Sequence, residues 1–183
     1  LGLDENGVWL LAVAMMRDDA KLKSYQLLAE ALNKLSGAAW RLVIVGDGPA
    51  EPQVRALFAG LGAIFTGRKS SAQLDRYFRA ADIFVWPAIN EAYGMAILEA
   101  AQRGLPVVAG DSGGVGDIVR HGETGVLAKS GDAVEFAAGL QILLDDSALR
   151  AKMGGAAAAR ALREHGLDAA SRVLDDALRK VVG

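Results

Sequence analysis

Cysteine is absent from this 183-residue chain, which excludes disulfides and thiolate metal sites and fits a cytoplasmic location. Only two histidines occur, His121 and His165, with no metal-ligand spacing between them. His165 falls near the expected end of an alanine-rich helix, where a positive charge suits the helix dipole, and both histidines read as surface residues. No apolar run reaches the roughly 20 residues of a membrane-spanning helix, and no charged-then-apolar leader is expected. Neither sign of charge dominates: the net charge is −2, which leaves no electrostatic footprint for nucleic acid. Internal repeats, low-complexity linkers and a second-domain boundary are also missing. The chain has 52% apolar and 23% charged residues, the composition of one globular domain with a sizeable core.

The chain is organised around Trp86 to Asp117, WPAINEAYGMAILEAAQRGLPVVAGDSGGVGD. An apolar strand, DIFVW, ends at a proline; Glu91 then falls in a loop, a helix starts near Tyr93–Gly94, and Glu99 lies inside it. A second apolar strand and a glycine-rich turn, SGGVG, follow. Such a unit sets two loops and a helix N-terminus side by side at one sheet edge, where open α/β sheets bind ligands. Glu91 and Glu99 are eight positions apart, roughly 12 Å along a helix. That is too far for an acid/base pair on one bond, but suits two carboxylates gripping hydroxyls at opposite ends of a long polar ligand. Gly94 lets backbone approach the ligand, and the free N–H groups of the helix start suit a phosphate. A nucleotide sugar has that layout. Read alone, either glutamate is an ordinary surface carboxylate.

Elsewhere strands and helices alternate. Val8–Ala14, Trp40–Gly46, Ala63–Thr66, Asp82–Trp86 and Pro106–Ala109 read as buried strands, and VLA at 126–128 as a short sixth. Ser24 is a candidate cap for a first helix, which leaves Arg17, Lys21 and Lys23 in the preceding loop. Helices are expected over Ala50–Ala59 (Pro52 in its first turn), Ala72–Arg79 (capped by Ser70 or Ser71) and Ala133–Leu144 (capped by Asp132), with a helical turn at Val115–Val119. A short helix capped by Asp146 or Ser147, an alanine-rich helix Gly154–His165 and an amphipathic helix Leu167–Val182 complete the reading. The fold class is α/β: a doubly wound, Rossmann-like parallel sheet of about six strands with helices on both faces and a helical C-terminal tail. The GDGP turn at Gly46–Pro49 lacks the third glycine of a dinucleotide fingerprint and is not on the first strand, so a Rossmann NAD site is rejected.

The string Glu91, Gly94, Glu99-Ala100, Gly104, Pro106-Val107-Val108-Ala109, Gly113-Gly114 closely resembles the donor-binding half of retaining glycosyltransferases of GT-B fold, the large group 1 family. The resemblance extends over most of the chain. It implies transfer of a sugar from a UDP-, GDP- or ADP-linked donor to an acceptor, with retention at the anomeric carbon, by a hexosyltransferase-like enzyme. It implies that Arg17 and a lysine contact the diphosphate and stabilise the leaving charge, Lys21 being favoured over Lys23, and that Glu91 binds sugar hydroxyls. Glu99 would take the ribose hydroxyls, and the backbone of Tyr93, Gly94 and Met95 the phosphate and sugar. Gly46 and Gly48 would lie near phosphates or base, or simply make a tight turn. Gly67 and Arg68, with Lys69, would frame the base, and Thr124 with Gly125 would lie on its side of the cleft. No metal and no cofactor are expected, since cations and a helix start neutralise the diphosphate and no Asp-x-Asp loop occurs. The reading takes residues 1–183 as one donor-binding domain, with the N-terminal, acceptor-binding domain of the same enzyme absent and the isolated piece inactive. Any peripheral membrane attachment would belong to that absent domain. Departures from the family pattern are Asp117 in place of a glutamate and REHGLDAAS in place of an aromatic motif before the last helix. A nucleotide-sugar epimerase of the same fold and a non-catalytic nucleotide-binding domain stay open as alternatives.

Overall fold

The apolar runs form a six-stranded, all-parallel sheet in the order β3-β2-β1-β4-β5-β6. Its strands are β1 (Val8–Val13), β2 (Trp40–Val45), β3 (Ile64–Phe65), β4 (Ile83–Trp86), β5 (Val107–Asp111) and β6 (Gly125–Lys129). The structure, a computed structural model, describes residues 7–37 and 39–166 together with Ser171 and Arg179. The expected helix Leu167–Val182 therefore lies outside the described residues. All of β4 and the middle of β1 are buried, as continuous runs of Leu, Ile, Val and Phe require when helices cover both faces of a sheet.

The helices are α1 (Ala20–Leu32), α2 (Glu51–Leu57), α3 (Ser71–Ala80), α4 (Met95–Gln102), α5 (Val115–Ile118), α6 (Ala133–Asp145) and α7 (Ser147–His165). α1 packs on α2 and α6, and α4 packs on α5 and α7. The core joins the sheet to both sets, with Leu10, Leu28, Phe84, Ile97, Val108 and Leu140 at 0% exposure. Ser70 caps α3 in a reciprocal capping box with Gln73, and Asp132 caps α6 through the N–H groups of Val134 and Glu135.

Two expectations are corrected. Ser24 does not cap α1: the helix starts earlier, where the Asp19 carboxylate accepts the Lys21 N–H at 2.8 Å. Lys21 and Lys23 thus sit in the first helical turn, and Ser24 is buried. Secondly, Asp146 caps one continuous α7 where two helices were expected. Gly154 lies inside it because a Cβ there would meet the Gly104 carbonyl oxygen at 2.1 Å, so the glycine serves close packing against the turn after α4 and does not break the helix.

Candidate functional site

In this strand order the chain leaves β1 toward one side and β4 toward the other, which opens a crevice beyond their carboxyl ends. A cleft of ≈ 390 Å³ lies there, lined by the end of β1, Lys21, Trp86 and the stretch from Glu91 to Ile97. That volume falls in the lower range of small-ligand sites.

The chain seats Glu91 by an unusual loop. Ala88 and Asn90 both have positive φ (56° and 51°), a conformation uncommon for residues with a side chain. The loop is held by the Glu91 N–H on the Ala88 carbonyl at 3.1 Å and by the Ile89 N–H on the buried Ser24 hydroxyl at 3.0 Å. The glycine-rich turn after β5 supplies its bed. Gly114 N–H donates to the Ala92 carbonyl at 3.0 Å, and a Cβ on Gly113 would lie 2.0 Å from the Glu91 carbonyl oxygen.

Three side chains then meet. Lys21 Nζ forms a hydrogen-bonded ion pair with Glu91 Oε2, and the two side chains are only 19% and 17% exposed. The same Oε2 accepts the Trp86 indole N–H at 3.2 Å, while Lys21 Nζ lies 5.4 Å from the centre of the Trp86 ring. Beneath them Tyr25 stacks edge-on against Trp86 at 5.0 Å and donates its hydroxyl to the Ala14 carbonyl at 2.9 Å. Burial raises the Tyr25 pKa far above its ordinary value, so the hydroxyl stays a neutral donor. Lys21 and Lys23 occupy the positive end of a helix whose first turn has no acidic residue, an arrangement unfavourable to the helix and favourable to an anion. α4 adds a second helix start: Gly94, in the left-handed conformation at φ 93°, offers no side-chain cap.

Of the residues singled out from sequence, Lys21, Glu91, Tyr93, Gly94 and Met95 share this cleft. Arg17 stands in the same β1–α1 loop, half-exposed and paired with Asp19 at 3.1 Å. Gly46, Gly48 and Gly67 belong to a neighbouring wall, where Gly46 N–H donates to the Gly67 carbonyl at 3.1 Å. A Cβ on Gly46 or Gly48 would meet the carbonyl oxygens of Ala14 or Met16 at 1.9 and 2.3 Å, so both glycines serve backbone packing between loops. Arg68 is exposed beside them. Glu99 is half-buried on α4, outside the lining of the cleft, and its carboxylate has no hydrogen bond or ion pair among the described residues. Thr124 stands apart. It precedes β6, whose first residue pairs with the first of β5, so it sits at the opposite, amino edge of the sheet, buried and accepting the Arg120 N–H at 2.8 Å.

Sequence reasoning missed Trp86, Ser24 and Asp19 as parts of this arrangement. An acceptor two residues before the first lysine was a legible capping signal for Asp19. No pattern in the sequence marked that the Trp86 indole turns to Glu91, five positions on, or that Ser24 reaches Ile89 across 65 positions.

Comparisons with known proteins bear on the family and the fold. The profile of the family "Glycosyl transferases group 1" matches residues 11–160. The sulfoquinovosyl transferase SQD2 of Arabidopsis thaliana is 38% identical over 138 residues, covering 74% of this chain and 27% of that protein. Among solved structures, a glycosyltransferase from Rickettsia africae superposes with a TM-score of 0.85 at 22% identity, over 98% of this chain and 49% of its own. HepE of Anabaena, solved in complex with UDP-glucose, gives 0.82 at 21% identity over 96% of this chain and 49% of its own. At these identities the two superpositions establish the fold. The chain thus spans about a quarter of the curated relative's length and about half of each structure's.

Proposed function

We propose that this chain, which belongs to the glycosyl transferases group 1 family, is the donor-binding domain of a retaining enzyme that moves a sugar from a nucleoside diphosphate to an acceptor. One observation carries the reading: Lys21, Glu91 and the uncapped start of α4 converge in a single cleft at the point where the strand order reverses. A relative's complex with UDP-glucose supports a ligand of this class.

The diphosphate lies against the start of α4 and the cations of the β1–α1 loop. There Lys21, with Arg17 behind it, stabilises the charge that grows on the departing phosphate, in place before reaction. The N–H groups of the Tyr93–Met95 segment hold phosphate oxygens, as free helix starts do. Glu91 accepts hydrogen bonds from the transferred sugar, and Glu99, without a partner among the described residues, accepts them from the ribose. Gly67 and Arg68 border the base. No metal enters this scheme, since cations and a helix start neutralise the leaving group. The acceptor reaches the sugar from a second domain, so the 183-residue chain binds nucleotide without turning it over.

Titration calorimetry with UDP, GDP, ADP and CDP tests the reading. One of the four should bind the wild-type chain, and Lys21→Ala should weaken it about tenfold or more, the scale of a charge-assisted hydrogen bond. Absence of binding by all four would overturn it.

A further inference from the structure

We propose that Trp86 is a positioning residue: it keeps Glu91 in place while a diphosphate takes Lys21 away from it, so the Lys21–Glu91 pair is exchanged on ligand binding. This rests on the donor-binding reading above.

Lys21 and Glu91 come from opposite sides of the cleft, one from the first turn of α1 and one from the loop after β4, and both are mostly withdrawn from solvent. Paired, they cancel, and the cleft offers an anion no free cation from Lys21. A diphosphate entering beside the start of α4 must therefore compete with Glu91 for the ammonium group. Once it wins, Glu91 faces a like-charged neighbour in a partly desolvated site, where an unpartnered carboxylate is unfavourable.

The indole answers this problem. Its N–H donates to the Glu91 oxygen that also holds Lys21, at 3.2 Å, and it is a neutral donor that no phosphate competes for as it does for the ammonium. The ring cannot turn away: Trp86 is 2% exposed, and Tyr25, itself tied to the Ala14 carbonyl, stands against it at 78°. Glu91 thus keeps one hydrogen bond through the exchange, and its freed lone pairs face the cleft, where a ligand hydroxyl can donate to them. The order of events gives selectivity. A free hexose brings no charge to draw Lys21 off, so it finds Glu91 Oε2 shared by Lys21 and Trp86, whereas a sugar carried on a diphosphate finds Lys21 gone from that oxygen.

The test is a double-mutant cycle on the 183-residue chain. It uses Glu91→Gln, Trp86→Phe and the double variant, titrated with whichever of UDP, GDP, ADP and CDP binds the wild type tightest. Near-ultraviolet circular dichroism verifies that each variant is folded. Glu91→Gln removes the competitor and should tighten the diphosphate about fivefold, the scale of a modest ion pair. Trp86→Phe keeps a ring face for Lys21 but strands Glu91 on exchange, and should weaken binding about tenfold. In the Glu91→Gln background the same Trp86→Phe change should alter affinity less than about twofold, because no charge is stranded. If Glu91→Gln leaves affinity unchanged or lowers it, the exchange is overturned while the donor-binding reading stands. Equal weakening by Trp86→Phe in both backgrounds would reduce Trp86 to a packing residue. Failure of the wild type to bind any of the four refutes the donor-binding reading itself.

Discussion

At Lys21 the backbone and the side chain serve different structures. Its N–H is bound by Asp19 to start α1, and its ammonium crosses the cleft to Glu91. Lys23, two positions on, is exposed. This separates the two cations in the order the sequence favoured, with Lys21 in the cleft and Lys23 outside its lining. Lys23→Ala should change nucleoside diphosphate affinity by less than about twofold, whereas Lys21→Ala lowers it by about tenfold or more; calorimetry on the pair checks it, and the reverse order would reassign the phosphate lysine. Ser24 works at the same scale with no ligand contact. Its hydroxyl donates to the Ala20 carbonyl at 2.9 Å and accepts from Ile89, inside a site at 0% exposure. Ser24→Ala orphans the Ile89 N–H and should cost about 1–3 kcal/mol, read from urea unfolding. An unchanged midpoint would mean that the loop finds another acceptor.

The glycine-rich turn after β5 acts as an element, shaped to the loop after β4. Gly113 has φ 53°, and an added Cβ would press into the Glu91 carbonyl oxygen at 2.0 Å, a backbone atom that cannot swing aside. Gly113→Ala should destabilise the chain by about 2 kcal/mol or more from overpacking and backbone strain. It should also weaken diphosphate binding, because the displaced segment carries Glu91 and leads into the start of α4. Gly122 has φ 77° and open space around it, so Gly122→Ala carries the strain alone and should leave binding unchanged. Unfolding and calorimetry on both variants distinguish the effects, and equal losses of affinity would refute the seating argument.

At the scale of the whole molecule, a charge clamp ties α3 to the end of α4, whose apolar faces are already committed to the core. Asp75 on α3 receives Arg79 at 2.6 Å and Arg103, just past α4, at 2.8 Å, and these hydrogen bonds hold its carboxyl below the ordinary 3.8. Its folded pKa is lower than its unfolded one, so the clamp contributes fully above the unfolded value and fades as pH falls through the folded one. Wild type should therefore lose stability relative to Asp75→Asn as pH drops from about 5 through about 3. Urea midpoints taken across that range check this, and parallel acid limbs for the two proteins would exclude the clamp. No helix of the described residues is long and apolar enough to cross a membrane.

Local pattern determined the elements. Short β-branched and leucine runs bounded by turn residues read as strands buried on both faces, and the period-3.6 apolar stripes between them as helices that cover those faces, so the parallel α/β class was legible, as was the neighbourhood of Glu91, Gly94 and Met95. The Asp19 cap was legible too, but Ser24, further along the same stretch, offered the competing candidate. Tertiary structure alone decided the rest. The Lys21–Glu91 pair spans 70 positions, and its shared partner Trp86 looked like the last residue of an apolar strand. The placement of Thr124 was also out of reach, because a turn's edge depends on the direction of the strand that follows and on its register with β5. Sequence period fixes which face of an element is apolar; which distant side chains then share one cleft depends on strand order, and strand order is set by how whole elements pack.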